Sequence, residues 1–96
     1  MKEKIKYEVL KLVGDERERQ DRKWGEQNHD LPLWVGILGE EYGEFCQAVN
    51  ETVFDNGTEE YKKGGMDNIV KELTQVAAVA IACLECIKRN QVSREV

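Results

Sequence analysis

Apolar residues return every three or four positions along most of the chain, the period of a helix that buries one face. Between Trp34 and Thr52 the positions Trp34, Ile37, Leu38, Phe45, Ala48 and Val49 form one stripe. Upstream, Ile5, Val9, Leu12, Val13 and Glu16 share a face of a helix expected over about Lys2 to Arg22, with Gly14 weakening its middle. Its second half, Asp15 to Lys23, is almost all charged or polar, which reads either as a solvated face or as Arg19, Gln20 or Lys23 turning toward a polar site. Downstream, Ile69, Leu73, Val76, Ala77, Ala80, Ile81, Leu84 and Ile87 form the main stripe of a third helix, expected from Met66 or Asp67 to about Asn90. Ala78, Val79, Ala82 and Cys83 carry apolar character nearly all round that helix, which predicts a central position or burial against a second subunit. Nothing alternates with the period of a strand. The expected fold is all-α: an antiparallel helical bundle of three long helices plus a short helical turn, one domain over 1–96, completed by homo-oligomerisation.

The punctuation fits these segments. Trp24 to Leu31 reads as a loop, with Asp30 or a neighbour capping the next helix and Pro32, the only proline, in its first turn. Asp55-Asn56-Gly57 is a turn signal, Thr58 is placed to cap a short turn of helix through Lys62, and Gly64-Gly65 is a break.

Composition narrows the functions. A chain of 96 residues with a net charge of −5 lacks the basic face that a nucleic-acid polymer requires. A single nucleotide carried with Mg²⁺ stays open, because the metal brings the positive charge. The cysteines, Cys46, Cys83 and Cys86, are odd in number and fall in helical segments, which predicts a reduced, cytoplasmic setting. Cys83 and Cys86 have the C-x-x-C spacing without a second Cys/His pair, so they read as small buried residues and not as a zinc site. The longest apolar run, Val76 to Leu84, is far short of a membrane span, and no apolar segment follows the charged start.

The chemistry begins where the pattern is broken. Glu41 falls in the middle of the second helix's apolar stripe, where a carboxylate costs several kcal/mol (order of magnitude) unless it is paired or bound to a cation. Glu44 projects from the same side, while Glu40 lies farther round toward solvent. On the third helix Glu72 and Gln75 repeat the three-residue spacing along one flank of the stripe, in line with Val79. Two antiparallel helices bring such pairs together as an oxygen-lined pocket, which suits Mg²⁺, with Mn²⁺ as a substitute.

The strings Glu40-Glu41-Tyr42-Gly43-Glu44 and Glu72-Leu73-Thr74-Gln75, with the lead-in from Gln20 to Gln27, resemble the MazG-like all-α nucleoside triphosphate pyrophosphohydrolases of small bacterial and phage type. The resemblance covers about Arg17 to Ile87. It implies helices assembled as dimers or tetramers into four-helix bundles, and Mg²⁺-dependent hydrolysis of nucleoside triphosphates to a monophosphate and pyrophosphate. By match, Glu41, Glu44 and Glu72 are metal ligands, and Glu40 binds a further metal or acts as the base that orients water. Gln75 stands where the family has aspartate. Its carbonyl can ligate Mg²⁺ but is neutral and cannot act as a base, so the alternative is a weak or inactive helical oligomer that binds nucleotide or metal without turnover.

The base of a nucleotide needs contacts other than metal. Trp24 and Trp34 are candidate stacking surfaces, with core the stronger reading for Trp34 on the apolar stripe, and Gln27, Asn28 and His29 are candidates to read polar edges. Lys62, Lys63, Lys88 and Arg89 are candidates for phosphate contacts, against a default of charged surface.

Overall fold

A computed structural model of the chain describes residues 2–53 and 65–95. Three helices make up those residues: α1 (Lys2–Trp24), α2 (Leu31–Val53) and α3 (Gly65–Glu95). The expected turn at Asp55-Asn56-Gly57 and the short helix from Thr58 to Lys62 lie outside the described residues. Among those described there is no strand, and no helix is long and apolar enough to cross a membrane.

The helix ends follow local chemistry. Gly25 adopts φ of 72°, a left-handed conformation that costs glycine least, and its N–H donates to the Asp21 carbonyl at 2.8 Å to close α1. Asp30 caps α2: its Oδ1 accepts from the Leu33 N–H at 3.1 Å, and its carbonyl accepts from Trp34 N–H at 3.1 Å. Pro32 then sits in the first turn, where a missing N–H costs nothing. Helix α1 runs unbroken through Gly14.

Helix α2 lies antiparallel along α3. Trp34, near its start, is buried with Val79, Ala82 and Cys86, and Ile37, Leu38 and Cys83 pack around them. At the other end Gly65 lies so close to α2 that a Cβ there would stand 2.7 Å from Thr52 Cγ2. Helix α1 packs on α3 in the same direction as α3, so α3 is the shared partner of the other two. The loop between α1 and α2 is bolted to the far end of α3. Arg89 donates to the Gln27 carbonyl at 2.9 Å and to Asn28 Oδ1 at 3.1 and 3.2 Å, and the Cys86 thiol faces the His29 carbonyl at 3.7 Å.

On the α2 stripe Trp34 and Ala48 are buried and Ile37, Leu38, Phe45 and Val49 half-buried, the facing its pattern predicts. On α3 the facing differs from expectation. The deeply buried positions are Ala78, Val79, Ala82 and Cys86, while Leu73, Ile81 and Leu84 of the expected main stripe are exposed. Small residues face α2 because Trp34 fills that seam, and close approach leaves no room for large aliphatic side chains. Met66, Val70, Leu73, Ile81 and Leu84, spaced by multiples of a helical turn, are left outside the chain's own core. All of residues 2–12 of α1 are exposed too, Ile5, Val9 and Leu12 among them. The accessible surface is 7523 Å², where a compact monomer of 11.1 kDa exposes about 5,700 Å². The radius of gyration is 16.2 Å against about 12.5 Å for a compact chain of this length.

The α2–α3 seam is testable at its tightest point. Gly65→Ala pushes a methyl into a short, branched side chain that cannot swing away, and is expected to lower unfolding stability by about 1–3 kcal/mol in urea titration. Gly14→Ala, where the same methyl meets nothing within 4 Å, is expected to raise stability by about 0.5–1 kcal/mol through helix propensity.

Candidate metal centre and adjoining cavity

Helices α2 and α3 bring Glu41, Glu44 and Glu72 together. One carboxylate oxygen from each lies within 4.8 Å of the others. Glu41 and Glu72 are half-buried and Glu44 is exposed. Glu41 Oε2 and Glu72 Oε2 are enclosed by protein and accept no hydrogen bond. Enclosed carboxylate oxygens normally have donors, since each one left bare forfeits its hydration. Burial, and then the charges of Glu44, Glu72, Glu16 and Glu40, push the Glu41 carboxyl above its ordinary range. Three acidic side chains on hard oxygen donors, two of them with an orphaned oxygen, fit a divalent cation such as Mg²⁺.

The cluster stands between two depressions. On one side Glu44 and Glu72 line an open cleft with Gln47, Glu51 and Asn68. On the other, Glu41 and Gln75 open onto a cavity of about 340 Å³. Its walls come from all three helices and the first loop: Glu16, Arg19, Gln20 and Trp24 from α1, Gln27 and His29 from the loop, Trp34 and Ile37 from α2, Val79 and Ala82 from α3. The volume is at the small end of the range for organic ligands.

Each predicted site residue among those described has a definite place. Gln75 lines the cavity beside Glu41. Glu40 is exposed and adjoins the cluster without an oxygen in it. Trp24 is half-exposed at the cavity, with the Arg19 guanidinium 5.9 Å and the Lys23 ammonium 4.6 Å from its ring centroid. His29 meets Trp34 edge-on, ring centroids 5.0 Å apart, and Trp34 itself is core at 2 % exposure. Gln27 lines the cavity, whereas the Asn28 amide oxygen is taken by Arg89. Lys88 is an exposed residue of α3 outside the cavity lining. Lys62 and Lys63 lie outside the described residues. Arg89 anchors the loop and is not free for phosphate.

The polar wall on α1 is more built than its sequence announces. Glu16 accepts both arms of Arg19, at 2.8 and 2.7 Å, and a bond from Gln20 at 3.3 Å. Hydrogen bonding from Arg19 holds the Glu16 carboxyl below its ordinary range against the opposite pull of burial. Gln20, one of the buried polar residues, accepts in turn from Arg17 at 3.2 Å, and Arg17 is clamped by Asp21 and by Glu85 of α3. Glu16 follows the apolar positions of α1 at helical spacing, and that break in the stripe, like the one at Glu41, was the available signal.

Neither protein-family models, curated proteins nor solved structures give a match to this chain.

The raised Glu41 carboxyl fixes the sign of a stability experiment. Its folded value lies above the unfolded one, so its contribution to the metal-free fold is fully present below the ordinary carboxylate range and is lost as pH rises through the raised value. With chelator at neutral pH, Glu41→Gln is expected to melt a few degrees above wild type (about 0.5 kcal/mol moves such a domain by roughly 2–4 °C), and the difference should vanish near pH 4. With millimolar Mg²⁺ or Mn²⁺ the order reverses, because only the wild type gains from the ion. Equal melting of the two proteins under every condition would remove the case for a cation site.

Proposed function

We propose that the chain is a Mg²⁺-dependent nucleotide pyrophosphohydrolase of the MazG-like type, converting a nucleoside triphosphate and water to a monophosphate and pyrophosphate. The observation that carries this reading is the cluster of Glu41, Glu44 and Glu72 with its two orphaned, enclosed oxygens, opening through Glu41 onto a cavity walled by Trp24, Gln27 and His29. Glu41, Glu44 and Glu72, with the Gln75 carbonyl, would hold the ion. When bound, Mg²⁺ supplies charge neutralisation at the phosphate oxygens and acidifies a water. Glu40, beside the cluster and facing solvent, is the carboxylate available to orient that water and take its proton. Trp24 offers its ring to the base, and Gln27 and His29 offer polar edges. Fixed acids and a closed wall suit phosphoryl chemistry, in which positioning and electrostatics supply most of the acceleration.

Gln75 favours a second reading, a binder without turnover. A neutral carbonyl in place of a carboxylate weakens the hold on the ion. Pyrophosphate release is to be measured across canonical and modified nucleoside triphosphates with Mg²⁺ and with Mn²⁺. Release that Glu41→Gln reduces by about 100-fold or more is the expected result. No release by wild type, with release by Gln75→Asp, would assign the natural chain to the binding reading; no release by either would overturn the enzyme.

The fold is further proposed to be completed by copies of itself, as a homodimer or homotetramer. The surplus surface, about 1,800 Å² per chain over a compact monomer, falls in the range of an obligate homodimer interface once both chains are counted. The exposed stripe of Met66, Val70, Leu73, Ile81 and Leu84, with Ile5, Val9 and Leu12 of α1, is the surface for it. Sedimentation at micromolar concentration is expected to give two or four times 11.1 kDa, and Leu73→Glu combined with Leu84→Glu to lower the mass or unfold the chain. A wild-type monomer would end this part of the reading.

A further inference from the structure

A triphosphate entering the cavity meets two carboxylates, Glu16 and Glu41, so a fixed cation is needed beyond the metal. Among the described residues that line the cavity, the only permanently charged cation is Arg19. The other arginines near it are committed. Arg17 ties α1 to Glu85 of α3 and to Asp21, and Arg89 ties the first loop to α3 through Gln27 and Asn28. Removing either from its partners would unpick a contact between elements.

Arg19 is different in kind. Its hydrogen bonds are to Glu16, three residues back on the same helix, and its side chain is 44 % exposed. Glu16 is only 12 % exposed, so this is not a solvated surface pair, but opening it disturbs no contact between elements and leaves Glu16 its bond from Gln20. The guanidinium lies near the Trp24 ring on one side and feels the charge of Glu41 on the other. It therefore spans the interval between the surface proposed for the base and the carboxylates proposed for the metal. Its planar fork of donors suits two phosphate oxygens as well as it suits a carboxylate.

We propose that Arg19 is the phosphate-contacting residue of the cavity and that Glu16 is its placeholder: on ligand binding the guanidinium exchanges the Glu16 carboxylate for phosphate oxygens of the nucleotide. This rests on the nucleotide reading above. Glu16 keeps its bond from Gln20 after the exchange, so the vacated carboxylate is not stranded. The exchange also explains why an acid that breaks the apolar stripe of α1 is held inside the cavity wall: it keeps the arginine aimed inward while no ligand is present.

The test is calorimetric titration of the full chain with α,β-imido deoxynucleoside triphosphates in Mg²⁺, and separately with Mn²⁺ alone. Arg19→Gln is expected to weaken binding of the triphosphate analogue by about 10–100-fold, the loss of a charge-assisted bidentate contact. Arg19→Lys should recover part of it. Mn²⁺ alone should bind Arg19→Gln at least as tightly as wild type, because a cation near Glu41 has gone; a merely structural role for Arg19 would weaken both ligands. Glu16→Gln, which removes the competing carboxylate, is expected to tighten the triphosphate analogue a few-fold and gives a readout even if Arg19→Gln fails to fold. Wild-type binding that Arg19→Gln leaves unchanged, or that Glu16→Gln weakens, overturns the exchange and leaves the nucleotide reading standing. A wild type that takes up Mn²⁺ but no triphosphate analogue overturns the nucleotide reading, and this inference with it.

Discussion

The arrangement depends on a carboxylate kept where it is expensive to keep it. Glu41 interrupts the apolar face by which α2 packs on α3, and the antiparallel register then sets Glu72 opposite and Glu44 alongside, oxygens within 4.8 Å. Three like charges at that separation, two with enclosed oxygens lacking donors, have two physical remedies: a proton or a cation. The upward shift at Glu41 is the first remedy at work in the metal-free chain. The contacts at the two ends of the seam hold the register that creates the problem. Trp34 is locked against Val79, Ala82 and Cys86, and Gly65 is pressed on Thr52. A slip of one helical turn, about 5.4 Å, would carry Glu72 out of reach of Glu41 and relieve the repulsion. The packing prevents it, so the strain is a property of the fold and not of one rotamer.

Helix α1 contributes the opposite quality, a wall of hydrogen-bonded polar side chains, with the enclosed Arg17 Nε alone among them left without an acceptor. Arg17 donates to Glu85 of α3 and to Gln20, Gln20 donates to Glu16, and Arg19 donates to Glu16 from the other side. Networks of this sort define geometry when every member is partnered. The cavity is thus bounded by an unsatisfied acidic side on α2 and α3 and a hydrogen-bonded mixed-charge side on α1. On the proposed reading, that asymmetry would let one wall take up a cation while the other holds its shape.

Much of this was legible in the sequence, and the exceptions have causes. The period of three and four residues gave α2 and its buried face because Trp34, Ile37, Leu38 and Ala48 sit on one side with polar residues opposite. Asp30 and Pro32 marked the start of α2, and the Gly64-Gly65 break placed the start of α3 at Met66 or Asp67, one or two residues after the Gly65 at which it begins. The facing of α3 was not legible. From Val76 to Leu84 it is apolar nearly all round, so periodicity cannot choose a side, and the choice fell to the size of Trp34 on the neighbouring helix. The acidic cluster was foreshadowed by Glu41 and by the matching three-residue spacings. Glu16 was foreshadowed in the same way, by breaking the apolar stripe of α1. The roles of Arg17 and Arg89 were not, because pairing across elements leaves no local trace; in the sequence alone Arg89 reads as any surface cation.

Gln75 joins these threads. A fourth carboxylate at that position would stand on the cavity beside Glu41 and add its charge to a group already pushed upward by four neighbours. An amide adds none, so the metal-free seam is easier to close at neutral pH than it would be with aspartate. The same neutrality weakens the attraction for a cation, and the two effects have one electrostatic origin. Stability of the empty fold and affinity for the ion therefore move in opposite directions at this residue. On the proposed reading, glutamine favours a metal-free fold with less repulsion at the seam and a site that would take up its ion together with a polyphosphate, whose oxygens would complete the shell.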